Sequence, residues 1–323
     1  MVSTGHREVA MPGQAIIAGC GGGYDVFGGL PLYSQIVKQG SLTPILVSFS
    51  FVNRELLLQR GVELIDHFYA VRPGPMDIDA STTYFPEWHL ARQLGVTVYA
   101  FDMGATVRDL IRGYEHLMRL HPKIIRIFLI DGGCDVLLTG HETGLGTPVE
   151  DMIHLKAVME LEIPHKTLLA VGVNIDVADG VVFEELIQRL EDLQQRNILC
   201  SKWVLTKEDP TVIFYMETLS QCRPQDTIAQ SLIVEAIKGS RGNVIPKHLE
   251  ARIDKRREDG GSTIDLSELT CTLHEFDLMA VGREVGYLDL IDPDMNRDEV
   301  DALIIGYQAG YKRFRTVTTN PSR

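Results

Sequence analysis

The stretch QAIIAGCGGGYDVFGGLP, residues 14–31, decides how the chain is read. Ala15 to Ala18 form an apolar run of the length of a buried strand. Residues 19–29 then pack six glycines, Asp25 and two aromatics, and Pro31 suits the first turn of a helix that Gly40 closes. In that helix Leu32, Tyr33, Ile36 and Val37 share one face. Strand, glycine-rich turn and helix in this order make the first half of a βαβ unit. Apolar runs followed by helical spacing recur at residues 44–49, 63–70, 96–101, 124–130 and 167–173. The expected fold is therefore α/β, a Rossmann-like three-layer sandwich with a mainly parallel central sheet.

Residues 1–323 read as a single α/β domain, because the alternation is unbroken as far as Gly239. Residues 240–262 are a polar excursion or linker. Residues 263–323 form a C-terminal extension on the same core, with an apolar run at 270–273 and a final helix over 297–311. Two helix starts carry cap signals: Thr147-Pro148-Val149-Glu150, which reads as a capping box, and Asp226 ahead of Ile228, Leu232 and Ile233.

With 45% hydrophobic and 23% charged residues the chain has the composition of a folded globular protein. Its formal net charge of -13 opposes nucleic acid as a partner. Five scattered cysteines without a C-x-x-C indicate neither a disulfide framework nor structural zinc. No apolar window is long enough to span a bilayer, and residues 1–12 do not read as a signal peptide. The expected location is cytoplasmic, away from membranes, with a small-molecule ligand; a homo-oligomer stays open.

The glycine-rich turn invites the dinucleotide fingerprint G-x-G-x-x-G, yet Tyr24 and Val26 stand where its third glycine belongs. Gly29-Leu30 stands where a P-loop needs Lys-Ser/Thr. Consecutive glycines nonetheless turn backbone N–H groups into one concavity, which favours an anion held by Gly21, Gly22, Gly23 and Gly28. Asp25 would repel a bare phosphate, and becomes sensible if a divalent cation such as Mg²⁺ lies between them or if Asp25 accepts a hydrogen bond from a hydroxyl or amine of the ligand. The structural alternative is a sharp strand-to-helix turn.

A second motif, FLIDGGCDVLLTGHETGLGTPVEDM at residues 128–152, puts Asp131 at a strand end, Gly132-Gly133 at the turn and Asp135 beyond. In a parallel sheet both loops open on one edge, so their carboxylates would repel unless a cation, protonation or ligand donors intervened. Asp25, Asp131 and Asp135 are the candidate Mg²⁺ ligands. Asp131, Asp135 and the loop residue His141 are the candidate catalytic groups. Gly132, Gly133, Glu142 and, farther on, Arg283 join the ligand-binding set. Glu87 and Trp88 sit in a 72–88 loop long enough for a lid. Asp102 reads as a helix cap, whereas Asp176 and Asp179 read equally as turn residues before Gly180 or as further carboxylates at the same sheet edge.

The two glycine-aspartate motifs, Gly21-Gly22-Gly23-Tyr24-Asp25 and Asp131-Gly132-Gly133-Cys134-Asp135, with Glu142 and Gly144 to Asp151 behind them, resemble the uncharacterised family called domain of unknown function 1152. The resemblance covers most of the chain up to about Gly180, is weaker beyond, and implies the fold and the place of the site, with no activity to carry over. The leading expectation is an enzyme acting on a small phosphorylated or nucleotide-like metabolite, with Mg²⁺ as its candidate cofactor. A non-catalytic metabolite-binding or nucleotide-binding protein and an NAD(P)-dependent oxidoreductase are the alternatives.

Overall fold

The computed structural model describes residues 13–75, 84–222, 227–244 and 263–319. The opening run becomes β1 (Gly13–Gly19), followed by a short α1 (Asp25–Gly28), α2 (Leu30–Gln39) and β2 (Leu42–Ser50). Gly40 ends α2 in the left-handed conformation, φ 65°, with its N–H on Ile36 O. Then come α3 (Arg54–Arg60), β3 (Gly61–Ile65), β4 (Phe68–Val71), α4 (Pro86–Leu94), β5 (Val98–Asp102), α5 (Val107–Leu120) and β6 (Ile124–Asp131). The chain continues through α6 (Val149–Glu160), β7 (His165–Val171), α7 (Phe183–Gln195), β8 (Leu199–Val204), α8 (Pro210–Gln221) and α9 (Ile228–Lys238). After a small ribbon of β9 (Gly242–Val244) and β10 (Ile264–Leu266) it ends in β11 (Thr272–Asp277), α10 (Leu278–Gly282) and α11 (Arg297–Thr319).

Nine strands form one mixed sheet in the order β3-β4-β5-β2-β1-β6-β7-β11-β8. The contiguous strands β5, β2, β1, β6 and β7 are parallel, with Ile16 of β1 beside both Ile45 and Ile127. Alternation along β1 feeds two apolar cores: Ile16 and Ala18 join one, Ala15 and Ile17 the other, and all four are fully buried. From β1 the chain moves outward to β2 and β5, then returns to place β6 and β7 on the other side. The direction of winding therefore reverses between β1 and β6, and α/β proteins bind ligands in the crevice at such a point.

Several expectations need correction. The run at 63–70 is two antiparallel strands, β3 and β4, because His67 turns the chain at φ 62°. β8 went unread, since as an edge strand it is mostly exposed and lacks an apolar face. Thr147 caps nothing: α6 begins after Pro148 with no side-chain cap. The cap ahead of Ile228 is Thr227, whose side chain accepts from Gln230 N–H; Asp226 lies outside the described residues. Asp102 is not a cap either, because Thr106 and Asp109 form a reciprocal capping box on α5. Asp102 instead accepts from Tyr69 OH at 2.9 Å and from Gly104 N–H at 2.8 Å, and lies 2.8 Å from His67 Nδ1.

Most of the polar excursion, residues 245–262, lies outside the described residues, as do residues 1–12. From the C-terminal part, Tyr287, Leu288, Val300 and Ile304 pack into the core that holds Ile16. Among the described residues no helix is long and apolar enough to cross a membrane.

Candidate functional site

The loops after β1 and β6 stand side by side where the winding reverses, around a cavity of about 600 Å³. Gly21, Gly22 and Asp25 come from the first loop, and Asp131, Gly132, Gly133 and Asp135 from the second. The start of α6 adds Glu150 and Asp151, and the turn after β7 adds Asp176 and Asp179. Arg297, the first residue of α11, is the sole cationic side chain among the described residues of the lining. Phe51 and Met103 supply its apolar wall.

The glycines make room for carboxylates. A Cβ on Gly21 would lie 2.8 Å and 2.9 Å from the two carboxylate oxygens of Asp151 and 2.9 Å from Asp25 Oδ2. One on Gly132 would lie 2.7 Å from Asp25 Oδ1, and one on Gly133 2.3 Å from Asp176 Oδ2. Backbone donors hold the same groups. Gly21 N–H donates to Asp25 Oδ2 at 2.8 Å, Cys134 N–H to Asp176 Oδ2 at 2.5 Å, and Thr147 N–H to Asp135 Oδ2 at 3.1 Å. Of the loop N–H groups expected to cradle an anion, those of Gly21 and Gly22 are thus committed to Asp25 and that of Gly23 to Phe49 O.

Asp25, Asp131 and Asp151 each bring a carboxylate oxygen to within 4.8 Å of the other two. Asp131 and Asp151 are buried, and among the described residues Asp131 Oδ2 and Asp151 Oδ1 have no hydrogen-bond partner. Such orphaned buried oxygens are costly and call for an explanation. Burial is the first cause pushing Asp131, Asp135 and Asp151 well above the usual carboxylate range, and neighbouring carboxylates push the same way. Asp25 is raised to about 7 by burial against the opposing pull of Gly21 N–H, and Asp176 to about 6 by burial against Cys134 N–H. Hard oxygen ligands in this number, two of them with a free oxygen, fit a divalent cation of the Mg²⁺ or Mn²⁺ type.

Other expected site residues stand elsewhere. Gly23 is in the first loop, at φ 61° with its N–H on Phe49 O, but does not line the cavity. Gly28 permits close packing of α1 on the sheet, because a Cβ there would meet Val171 and Ile130 at 3.2 Å and 3.3 Å. Glu142 closes its own loop by accepting N–H bonds from Thr139, Gly140 and His141. His141 is exposed, stacked on Tyr311 with ring centroids 4.1 Å apart and 3.0 Å from Tyr307 OH, outside the lining. Arg283 borders a separate concavity with Arg126, His165 and Lys166, at the amino ends of β6 and β7. Glu87 and Trp88 are not lid residues: both are buried in α4, where Ser48 Oγ donates to Glu87 at 2.8 Å.

Sequence reasoning passed over Asp151, Glu150 and Arg297 as site residues. An acidic pair in the first turn of a helix and a charged residue at the start of another have ordinary capping and dipole explanations. Of the two readings open for Asp176 and Asp179, turn residues or carboxylates at the sheet edge, the second fits their place in the cavity lining.

The fold and this cavity define a mixed α/β protein with an acidic centre where the sheet's winding reverses. The family described as "Protein of unknown function (DUF1152)" matches residues 54–302, and the chain belongs to it. The matched stretch begins beyond the Gly21–Asp25 loop and includes the weaker part of the resemblance after Gly180. Neither a curated protein nor a solved structure matches the chain.

Proposed function

We propose that this chain is a divalent-cation-dependent enzyme acting on a small phosphorylated or nucleotide-like metabolite. One observation carries this reading: Asp25, Asp131 and Asp151 converge within 4.8 Å, with two buried unpartnered oxygens, where the winding reverses between β1 and β6. The two apolar cores on opposite faces of the parallel strands support a Rossmann-like three-layer arrangement, in which this crevice is the usual ligand position.

In this reading Asp25, Asp131 and Asp151 hold Mg²⁺ or Mn²⁺. When bound, such an ion supplies positive charge to a phosphoryl oxygen and acidifies a water. Asp135, buried and fixed at one oxygen by Thr147 N–H, is the group placed to take or return a proton. Asp176, locked by Cys134 N–H, keeps the second loop in place. With its N–H groups committed, the glycine loop binds phosphate through the cation rather than directly.

Calorimetric titration with Mn²⁺, followed by a turnover screen of phosphorylated metabolites and nucleotides with Mg²⁺, tests the proposal. Cation binding and turnover that Asp131→Asn abolishes, with folding intact, are expected. Absence of cation binding by the native chain, or turnover indifferent to Asp131→Asn, would sink it. Tight metabolite binding without product after long incubation would select the non-catalytic alternative. That alternative draws support from a lining that, among the described residues, has no histidine, cysteine or serine.

A further inference from the structure

We infer that Arg297 is a positioning residue that binds an anionic group of the substrate and so sets the preference of the cavity for phosphorylated ligands; this rests on the cation-dependent reading above. The lining carries the carboxylates of Asp25, Asp131, Asp135, Glu150, Asp151 and Asp176, against which any anionic ligand is repelled. A cation at the aspartate centre offsets part of that field. Among the described residues Arg297 is the only lining side chain able to offset more of it, and it does so at a second point of the cavity.

Its surroundings leave it available. One guanidinium nitrogen of Arg297 pairs with Glu150 Oε1, and among the described residues Glu150 is its only partner. The Arg297 side chain is 46% exposed, whereas that of Glu150 is 6% exposed. Glu150 is thus the buried anchor, while the half-exposed Arg297 side chain lines the cavity with further donors suited to two oxygens of a phosphate or carboxylate. Glu150 precedes Asp151 on α6, so the anchor ties Arg297 to the same helix turn that supplies a cation ligand.

Two titrations on the full chain separate this inference from the reading beneath it. Mn²⁺ alone is titrated by paramagnetic resonance, and inorganic phosphate is titrated by calorimetry in saturating Mg²⁺, for the native chain, Arg297→Gln and Arg297→Lys. Loss of a charge-assisted donor pair should weaken phosphate by about ten-fold or more in Arg297→Gln, with partial recovery in Arg297→Lys. Loss of a nearby positive charge should leave Mn²⁺ affinity unchanged or tighter. These opposite responses distinguish recognition from structural damage, which weakens both. Unchanged phosphate affinity in Arg297→Gln overturns the inference while the cation reading stands. Weakened Mn²⁺ affinity in Arg297→Gln also overturns it, by making Arg297 a support of the centre. A native chain that binds no Mn²⁺ removes the reading and the inference together.

Discussion

At the scale of single residues, the centre depends on a missing methyl group. Gly21 has no positive φ, so alanine is tolerated by its backbone, but the added Cβ would stand 2.8 to 2.9 Å from oxygens of both Asp25 and Asp151. Gly21→Ala should therefore spread the carboxylates and weaken Mn²⁺ binding by about ten-fold or more, with the fold retained; calorimetry beside far-ultraviolet circular dichroism measures both. Asp131→Asn has a sharper signature. It removes a buried charge that burial and its acidic neighbours already disfavour. The metal-free variant should be more stable than the native chain by about 1 kcal/mol or more at pH 8, while the rise in Tm on adding Mg²⁺ disappears. A metal-free variant that melts below the native chain would show that Asp131 holds the fold together rather than straining it.

At the scale of elements, α6 links the site to the core. It is buried on nearly every side, carrying Glu150 and Asp151 at one end and His154 one turn later. The His154 ring lies 2.5 Å from Tyr114 OH on α5 and 3.2 Å from Cys20 O in the loop after β1. This single ring thus fixes Asp151 relative to the loop that carries Asp25. His154→Leu fills most of the space but leaves a phenol and a carbonyl unpaired, at a cost of about 2 to 4 kcal/mol. Its Tm should fall by several degrees, and Mn²⁺ affinity should fall with it, whereas a substitution on the exposed face of α7 changes neither.

The elements also show what the sequence could disclose. β1, β2, β5, β6 and β7 were legible because central parallel strands are buried on both faces and read as apolar runs. Edge strands have weaker patterns: β8 is mostly exposed, and β3 and β4 fused into one run because nothing in the residue type marks His67 as a turn at φ 62°. Asp25, Asp131 and Asp135 were legible because glycines flank them at strand ends. Asp151 and Arg297 reach the cavity only through the packing of α6 and α11, which local pattern does not encode.

For the whole molecule, the acidic centre should govern how stability varies with pH. A carboxylate whose pKa is raised by folding binds a proton more tightly in the folded state, so it stabilises at low pH and loses that contribution as pH rises through its folded value. Asp25, at about 7, and Asp131, Asp135 and Asp151, raised well above 3.8, act in this sense. Two buried histidines oppose them. Burial pushes His154 and His274 down to about 4, so unfolding lets them take up a proton and stability falls as pH drops from 6.5 toward 4. Above pH 6.5 both histidines are neutral in either state, and the carboxylates prevail. His67 adds a smaller fall in the same direction: burial lowers its pKa, but the hydrogen bond and charge of Asp102 more than offset that. Without divalent cation, Tm should therefore decline between pH 6.5 and 8.5. The slope is on the order of 1 kcal/mol per pH unit for each carboxylate still titrating. Mg²⁺ should remove most of the decline, because cation binding displaces those protons, and should leave the parts that belong to His67 and to Glu87, which burial in α4 raises to about 7 away from the cavity. Calorimetric melting across this range, with chelator and with Mg²⁺, measures it. Parallel curves under the two conditions would mean that the carboxylates are neutralised by contacts within the protein, and would detach the centre from cation chemistry.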